Sequence, residues 1–182
     1  SDLHKGQLLT DDELISTTIV LLNAGHEATV HQIGNSVRVI LESGLDPQSL
    51  FSDEKTTERT VEETLRIGAP VHIFQRWALE PVEIDGVTFK RGDKVSLILA
   101  AANLDPQKFT DPLTFRPDRA EAPNLSFGAG IHFCIGAPLA RLELNIVLPL
   151  LFQRLPHLKL ANQPKVKDVY HFHGLERLDL TW

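Results

Sequence analysis

The stretch FGAGIHFCIG, residues 127–136, sets the only cysteine of the chain among three glycines, just ahead of a predicted helix. A cysteine acts on metals and electrophiles as the thiolate, whose charge is favoured where a helix begins and backbone N–H groups lack partners. Cys134 stands at such a place. Gly128, Gly130 and Gly136 carry no side chains, so the backbone can turn tightly and a flat ligand can come close to it. A lone cysteine is more often a small buried hydrophobe, and here the spacing decides between the two. The pattern F-x-x-G-x-[HR]-x-C-x-G is filled by Phe127, Gly130, His132, Cys134 and Gly136. At ordinary residue frequencies it arises by chance on the order of once in several million positions.

Composition narrows the remaining classes. The chain has 182 residues, is 42% hydrophobic, and so can bury the core of one ordinary domain. A net charge of -6 provides no basic field for a phosphate backbone, which argues against nucleic acid as a partner. The longest apolar runs, VSLILAAA at 95–102 and IVLPLL at 146–151, are too short to cross a bilayer as helices. One cysteine allows no internal disulfide, which fits a reducing compartment. The chain begins with Ser1 and contains no methionine, so it is expected to be a piece of a longer protein.

The pattern outside the cysteine stretch predicts a mainly α fold with a small β component. Thr10 and Glu13 have capping-box spacing ahead of Ile15, Ile19, Leu22, Val30, Ile33, Val37 and Ile40. These steps of three and four predict one helix of about 30 residues, stopped at Ser43-Gly44. Residues 47–51 form a short turn or helical piece. Ser52 offers the N-cap of a second helix that ends at Gly68. Residues 77–99 alternate, with Asp85-Gly86 at a tight hairpin turn. Residues 103–126 are proline-rich and aperiodic, an ordered irregular loop. After Gly136, Pro138 suits a first helical turn, and Leu139, Leu142, Ile146 and Leu150 mark another helix. The tail from Lys165 reads as strands with a turn at His173-Gly174. No linker divides residues 1–182 into two domains.

The cysteine pattern is the haem-thiolate signature of the cytochrome P-450 family, and the chain resembles that family over nearly its whole length. The E-x-x-R pair Glu63 and Arg66, and Arg119 within PDR at 117–119, resemble the Glu-Arg-Arg triad of the family. Taken alone, a Glu and an Arg three apart on a helix are usually a solvated pair of little energetic weight. The resemblance implies instead a buried structural triad holding the irregular loop. It also implies that residues 1–182 are the C-terminal part of one haem-binding monooxygenase domain, with the N-terminal part absent. Cys134 would be the iron ligand of haem b (iron protoporphyrin IX). Phe127, Gly130, His132, Gly136 and Arg76 would be further contacts, with Arg76 and His132 on the propionates.

LLNAGHEATVHQ, within the long first helix, resembles the oxygen-binding helix of the family, where A-G-x-[DE]-T is usual. Ala24 and Gly25 would leave room for O2, and Glu27 would carry protons. Ala28 stands where the family's threonine is expected. Thr29 lies about 100° further round the helix and is expected to bond back to the Gly25 carbonyl. The missing hydroxyl then has to be supplied by water, by Glu27 or by the substrate. By the same resemblance, Asn23, Val71, His72, Ile73, Phe74 and Phe172 line the substrate pocket. In ANLDP, Leu104 replaces the arginine of many relatives. His171 and His173, alternating on a strand, make a weak metal pair.

The function so implied is insertion of one oxygen atom from O2 into a small organic substrate. Electrons would come ultimately from NAD(P)H through a ferredoxin and ferredoxin reductase, with Arg141 and Arg116 as a basic patch for an acidic ferredoxin. Peroxide-driven haem-thiolate chemistry and non-catalytic haem binding or sensing are the alternatives. The bacterial-type motifs suggest a cytoplasmic protein.

Overall fold

A computed structural model describes residues 9–120, 123–169 and 171–182. Helix α1, Asp11–Ser43, opens with the capping box expected from its sequence. Thr10 accepts from the Glu13 N–H while the Glu13 carboxylate accepts from Thr10 N at 2.8 Å. It closes on Gly44 at φ 71°, the left-handed cap that glycine adopts without strain. A four-residue turn of helix, α2 (Pro47–Leu50), leads to α3, Glu54–Ile67. The α3 cap is Asp53, one residue later than the expected Ser52. The Asp53 carboxylate accepts from Thr56 N, and the Ser52 hydroxyl only donates to Asp53.

Strands β1 (Ile73–Trp77) and β4 (Lys94–Ile98) pair antiparallel, with Ile73 opposite Ile98. Between them, β2 (Val82–Ile84) and β3 (Val87–Phe89) form the expected hairpin, with Asp85 at φ 49° and Gly86 at φ 79°. The sheet thus starts four residues earlier than its alternation suggests. A short α4, Leu99–Asn103, precedes the irregular loop, and α5 runs Ala137–Arg154 through Pro149. At the end, β5 (Lys159–Leu160) pairs with β8 (Leu180–Thr181), and β6 (Lys165–Val166) with β7 (Leu175–Arg177). His173 and Gly174 belong to the long connection from β6 to β7, not to a two-residue turn. Among the described residues no helix is long and apolar enough to cross a membrane.

The core lies where α1, α3 and α5 meet. Val37, Ile40, Val61, Leu65, Leu144, Leu148 and Phe152 are buried together, and Phe51 stacks on Phe152 at 5.7 Å. Only the second half of α1 takes part. Ile15, Ile19, Leu22 and Val30 remain more than half exposed. In α5 the buried positions are Ala137, Leu144, Leu148 and Phe152, whereas Leu139, Leu142, Ile146 and Leu150 face outward. Both helices are apolar on more than one side, the pattern of a helix buried all round. This chain covers one side only.

Candidate active site

Cys134 is held by a loop that the glycines make possible. Gly128 and Gly130 sit at φ 71° and 70°, and residues Gly130–His132 form one 3-10 turn. Phe133 N donates to the Gly130 carbonyl and Cys134 N to the Phe127 carbonyl, both at 3.0 Å. The Cys134 carbonyl accepts from Ala137 N as α5 begins, with Gly136 as its cap and Pro138 in the first turn. The sulfur is therefore fixed by backbone on both sides and left exposed. A Cβ on Gly136 would come 3.8 Å from it. Around it, Ile131 and Ile135 are 97% and 86% exposed, a density of bare apolar surface that folded proteins cover with something. Phe133 meets Phe127 edge-on at 6.4 Å.

Among the described residues no three His, Cys, Asp or Glu side chains gather to hold a metal. A metal on Cys134 has to bring its remaining ligands with it, as iron in a porphyrin does. The exposed thiol, the glycine cradle and the flat apolar rim fit such a group. His132 ends the 3-10 turn and is exposed. Arg76 on β1 is exposed too, with Nη1 on the Gln75 carbonyl at 2.9 Å and its guanidinium over the Phe74 ring.

Arg141 is not free for a partner, contrary to the expected basic patch. Its guanidinium bonds the Glu62 carboxylate, with Nη2 to Oε2 at 3.1 Å, and lies 4.7 Å over the Phe127 ring. The Glu62 bond chiefly, with a smaller contribution from negative charge on Glu62 and Cys134, raises the Arg141 pKa above its ordinary value. Arg116 lies between Asp111 at 3.6 Å and Asp118 at 3.9 Å.

The structure brings the triad together. Arg66 Nε and Nη2 each donate to Glu63 at 2.8 Å, and Arg119 Nε reaches Glu63 Oε1 at 2.8 Å. Both α3 members are buried, and Arg66 also donates to the carbonyls of Asn103, Pro112 and Thr114. Arg119 donates to the carbonyls of Asp111 and Thr114. Sequence reasoning missed the companion of the triad, Asn103. Fully buried, it donates to Ser126 Oγ at 2.8 Å and accepts from Leu125 N, tying down the chain that enters the cysteine loop. Its signal was an amide closing the otherwise apolar run LAAA.

On α1, Asn23, Ala24, Gly25 and Glu27 are exposed and Ala28 is half-buried. Gly25 has nothing within 4 Å of the place a Cβ would take, so the helix face above it is open. Thr29 does not bond back to the Gly25 carbonyl; within α1 that habit belongs to Thr18, on the Leu14 carbonyl at 2.8 Å. Glu27 Oε1 lies 3.8 Å from Nε2 of His31, one turn on and buried.

The pocket candidates meet α1 from two directions. Val71 bridges Phe172 in antiparallel fashion, and His173 N donates to the Pro70 carbonyl at 2.7 Å. The rings of His72 and His173 stack at 4.4 Å, and burial is the main cause that lowers both their pKa values. Val71, His72, Ile73 and Phe172 are half-buried and Phe74 is exposed. Two surface grooves, one around Ile67, Leu104 and Leu113, the other beside Glu62 and Arg116, contain neither Cys134 nor Glu27.

The chain is similar in sequence and fold to known proteins. The family model for Cytochrome P450 matches residues 37–176. The chain is 42% identical to the biotin biosynthesis cytochrome P450 of Bacillus subtilis, over 96% of this chain and 44% of that protein. It is 40% identical to the cytochrome P450 monooxygenase PikC of Streptomyces venezuelae, over 97% of this chain and 44% of that one. The crystal structure of P450BioI in complex with acyl carrier protein ligated with hexadec-9Z-enoic acid superposes with a TM-score of 0.92 at 42% identity. The match covers 98% of this chain and 47% of that one. The chain thus spans less than half the length of these relatives, and the family match together with their identity across that span shows that it belongs to the cytochrome P450 family.

Proposed function

We propose that residues 1–182 are the C-terminal part of a haem-thiolate monooxygenase that inserts one oxygen atom from O2 into a small, largely apolar organic substrate. The observation that carries this reading is the exposed Cys134 sulfur in its glycine cradle, with no other metal-ligating cluster among the described residues. When bound, haem b would supply the oxygen chemistry, which a thiolate ligand favours by pushing electron density onto the iron. Everything else falls to the chain. Cys134 would hold the iron through its exposed sulfur. Gly130 and Gly136 would let the ring come close to the backbone, and Phe127 would limit water beside the sulfur once the group is bound. Arg76 and His132 are the exposed donors for the propionates.

Ala24, Gly25 and Ala28 would leave space for O2, and the open face at Gly25 supports that role. Residue 28 has no hydroxyl to pass a proton, and Thr29 is turned away from that face. Glu27 is the one carboxylate on this turn, and water or a substrate hydroxyl completes the path from it. Asn23, Val71, His72, Ile73, Phe74 and Phe172 form a mostly apolar wall for the substrate, with the His72 imidazole able to bond a polar group. Electrons reach the site from NAD(P)H through a ferredoxin-type donor in the cytoplasm. With Arg141 engaged by Glu62, that donor has to rely on other contacts.

The test is the reduced carbon-monoxide difference spectrum of the full-length protein and of its Cys134→Ser variant. A thiolate-type band present in the first and absent in the second is the expected result. An unchanged band in the variant overturns the reading. The absent hydroxyl at residue 28 also favours a second reading, direct use of peroxide. Substrate oxidation driven by peroxide alone, at a rate the ferredoxin route does not exceed, would select it. A thiolate band with no oxidation under either supply would mark a non-catalytic haem protein.

A further inference from the structure

At the junction between α1, the segment after α3 and the tail, Gly174 has less room for a Cβ than any other described glycine. Gly174 is buried against the ring of His31. A Cβ on Gly174 would come 2.5 Å from the Cε1 of that ring and 2.6 Å from its Cγ, closer than carbon atoms approach without a bond. The His31 ring is itself buried and tilted against Phe172, 6.3 Å between centroids. One turn further along α1, the fully buried Asn35 donates from one amide nitrogen to the Gly68 carbonyl at 2.9 Å and the His173 carbonyl at 2.8 Å. From the other side, Pro70 accepts from His173 N and Val71 bridges Phe172.

We infer that His31 and Asn35 are positioning residues for the substrate wall: they clamp residues 172–174 of the tail to α1, and so fix where Phe172 and Val71 stand. The inference rests on the reading of these two residues as pocket wall. The clamp has a steric half and a polar half. His31 occupies the space a side chain at 174 would need, so only glycine lets the tail lie flat on the helix. Asn35 bonds the buried carbonyl of Gly68, just ahead of one wall segment, and the part-buried carbonyl of His173, beside the other, and so ties the two together. The helix that faces the oxygen site thereby also sets the width of the pocket, and the sequence requirement for it is a glycine 143 positions away from a histidine.

The experiment is a size swap in the full-length, haem-loaded protein, comparing Gly174→Ala, His31→Ala and the double variant H31A/G174A. The pocket probe is econazole, a bulky imidazole whose binding to ferric iron is read as a spectral shift. Hydrogen exchange of the His72 and His173 amides reads the clamp directly and needs no haem. Overpacking in G174A is expected to weaken econazole binding about tenfold and to speed exchange of both amides by a similar factor. In H31A/G174A, where the ring no longer blocks the methyl group, both values are expected to return to within about threefold of the parent. Normal protection and affinity in G174A overturn the inference, and so does a double variant no better than the single. Loss of the carbon-monoxide band in the parent is a failure of the haem reading instead, and the exchange rates then still decide the clamp. Restored protection without restored affinity shows that the tail is clamped but does not form the wall, which also overturns the inference.

Discussion

Glu63 shows how one side chain can hold a region that has no regular structure of its own. Its carboxylate receives Arg66, Arg119 and the Arg116 backbone N–H, and through the two arginines it gathers carbonyls from residues 103–114. Removing one partner from a buried ion cluster leaves unpaired charge, which is costlier than the cluster is favourable. Glu63→Ala is therefore expected to destabilise the fold by about 3–5 kcal/mol in denaturant unfolding, as such a buried, uncompensated pair of cations implies. The double change to an apolar pair at Glu63 and Arg66 would not rescue it, because Arg119 would remain. The Glu63-Arg66 pair and the cysteine stretch stood out in the sequence as fixed spacings of distinctive residue types, whereas Arg119 and the burial of the triad were expected only from the family resemblance. Asn35, Asn103 and Gly174 were not legible. Their meaning lies in what stands opposite them, 33, 23 and more than a hundred residues away, and spacing along the chain carries no trace of that.

At the scale of elements, helices were legible as helices but their inward faces were not. The stripe Leu139, Leu142, Ile146 and Leu150 does recur at helical spacing, yet α5 turns its opposite side to the core. Periodicity selects a face only when the other face is polar, and neither α5 nor the first half of α1 offers that contrast. The hairpin at Asp85-Gly86 was legible because its turn chemistry is local. The contact between the segment after α3 and the tail has a consequence for pH. His72 and His173 stack face to face, and burial holds both pKa values below the ordinary value, with the charge of His72 and then of Arg38 adding to the effect on His173. The fold thus favours their neutral forms. The stability they contribute is complete above about pH 6.5, the value of an unfolded histidine, and is lost as pH falls below it. Thermal unfolding is expected to shift downward between about pH 7 and about pH 5.5. His173→Gln should flatten that dependence; an equal slope in the variant would remove the pair as its cause.

For the molecule as a whole, the uncovered apolar sides line up as one theme. Leu14, Ile15, Ile19 and Leu22 on α1, Leu139, Leu142 and Ile146 on α5, Trp77 and Ile98 on the sheet, and Ile131 and Ile135 beside the sulfur are all about half exposed or more. Soluble monomers rarely leave this many large apolar side chains bare. The relatives that this span matches are more than twice as long. The 182-residue chain alone is expected to self-associate and to bind hydrophobic dyes strongly, as sedimentation and dye fluorescence would show. A monodisperse, dye-silent monomer would mean that these faces close on one another in solution.

The bare sulfur also governs how the polypeptide behaves on the bench. An accessible thiol exposed to air oxidises and couples to another, and a molecule with one thiol can couple only once. Non-reducing electrophoresis of the apo chain is expected to show a covalent pair that reductant dissolves, and no ladder beyond it. Loading with haem should protect against that cross-link, so a simple gel shift reports metal occupancy without a spectrometer.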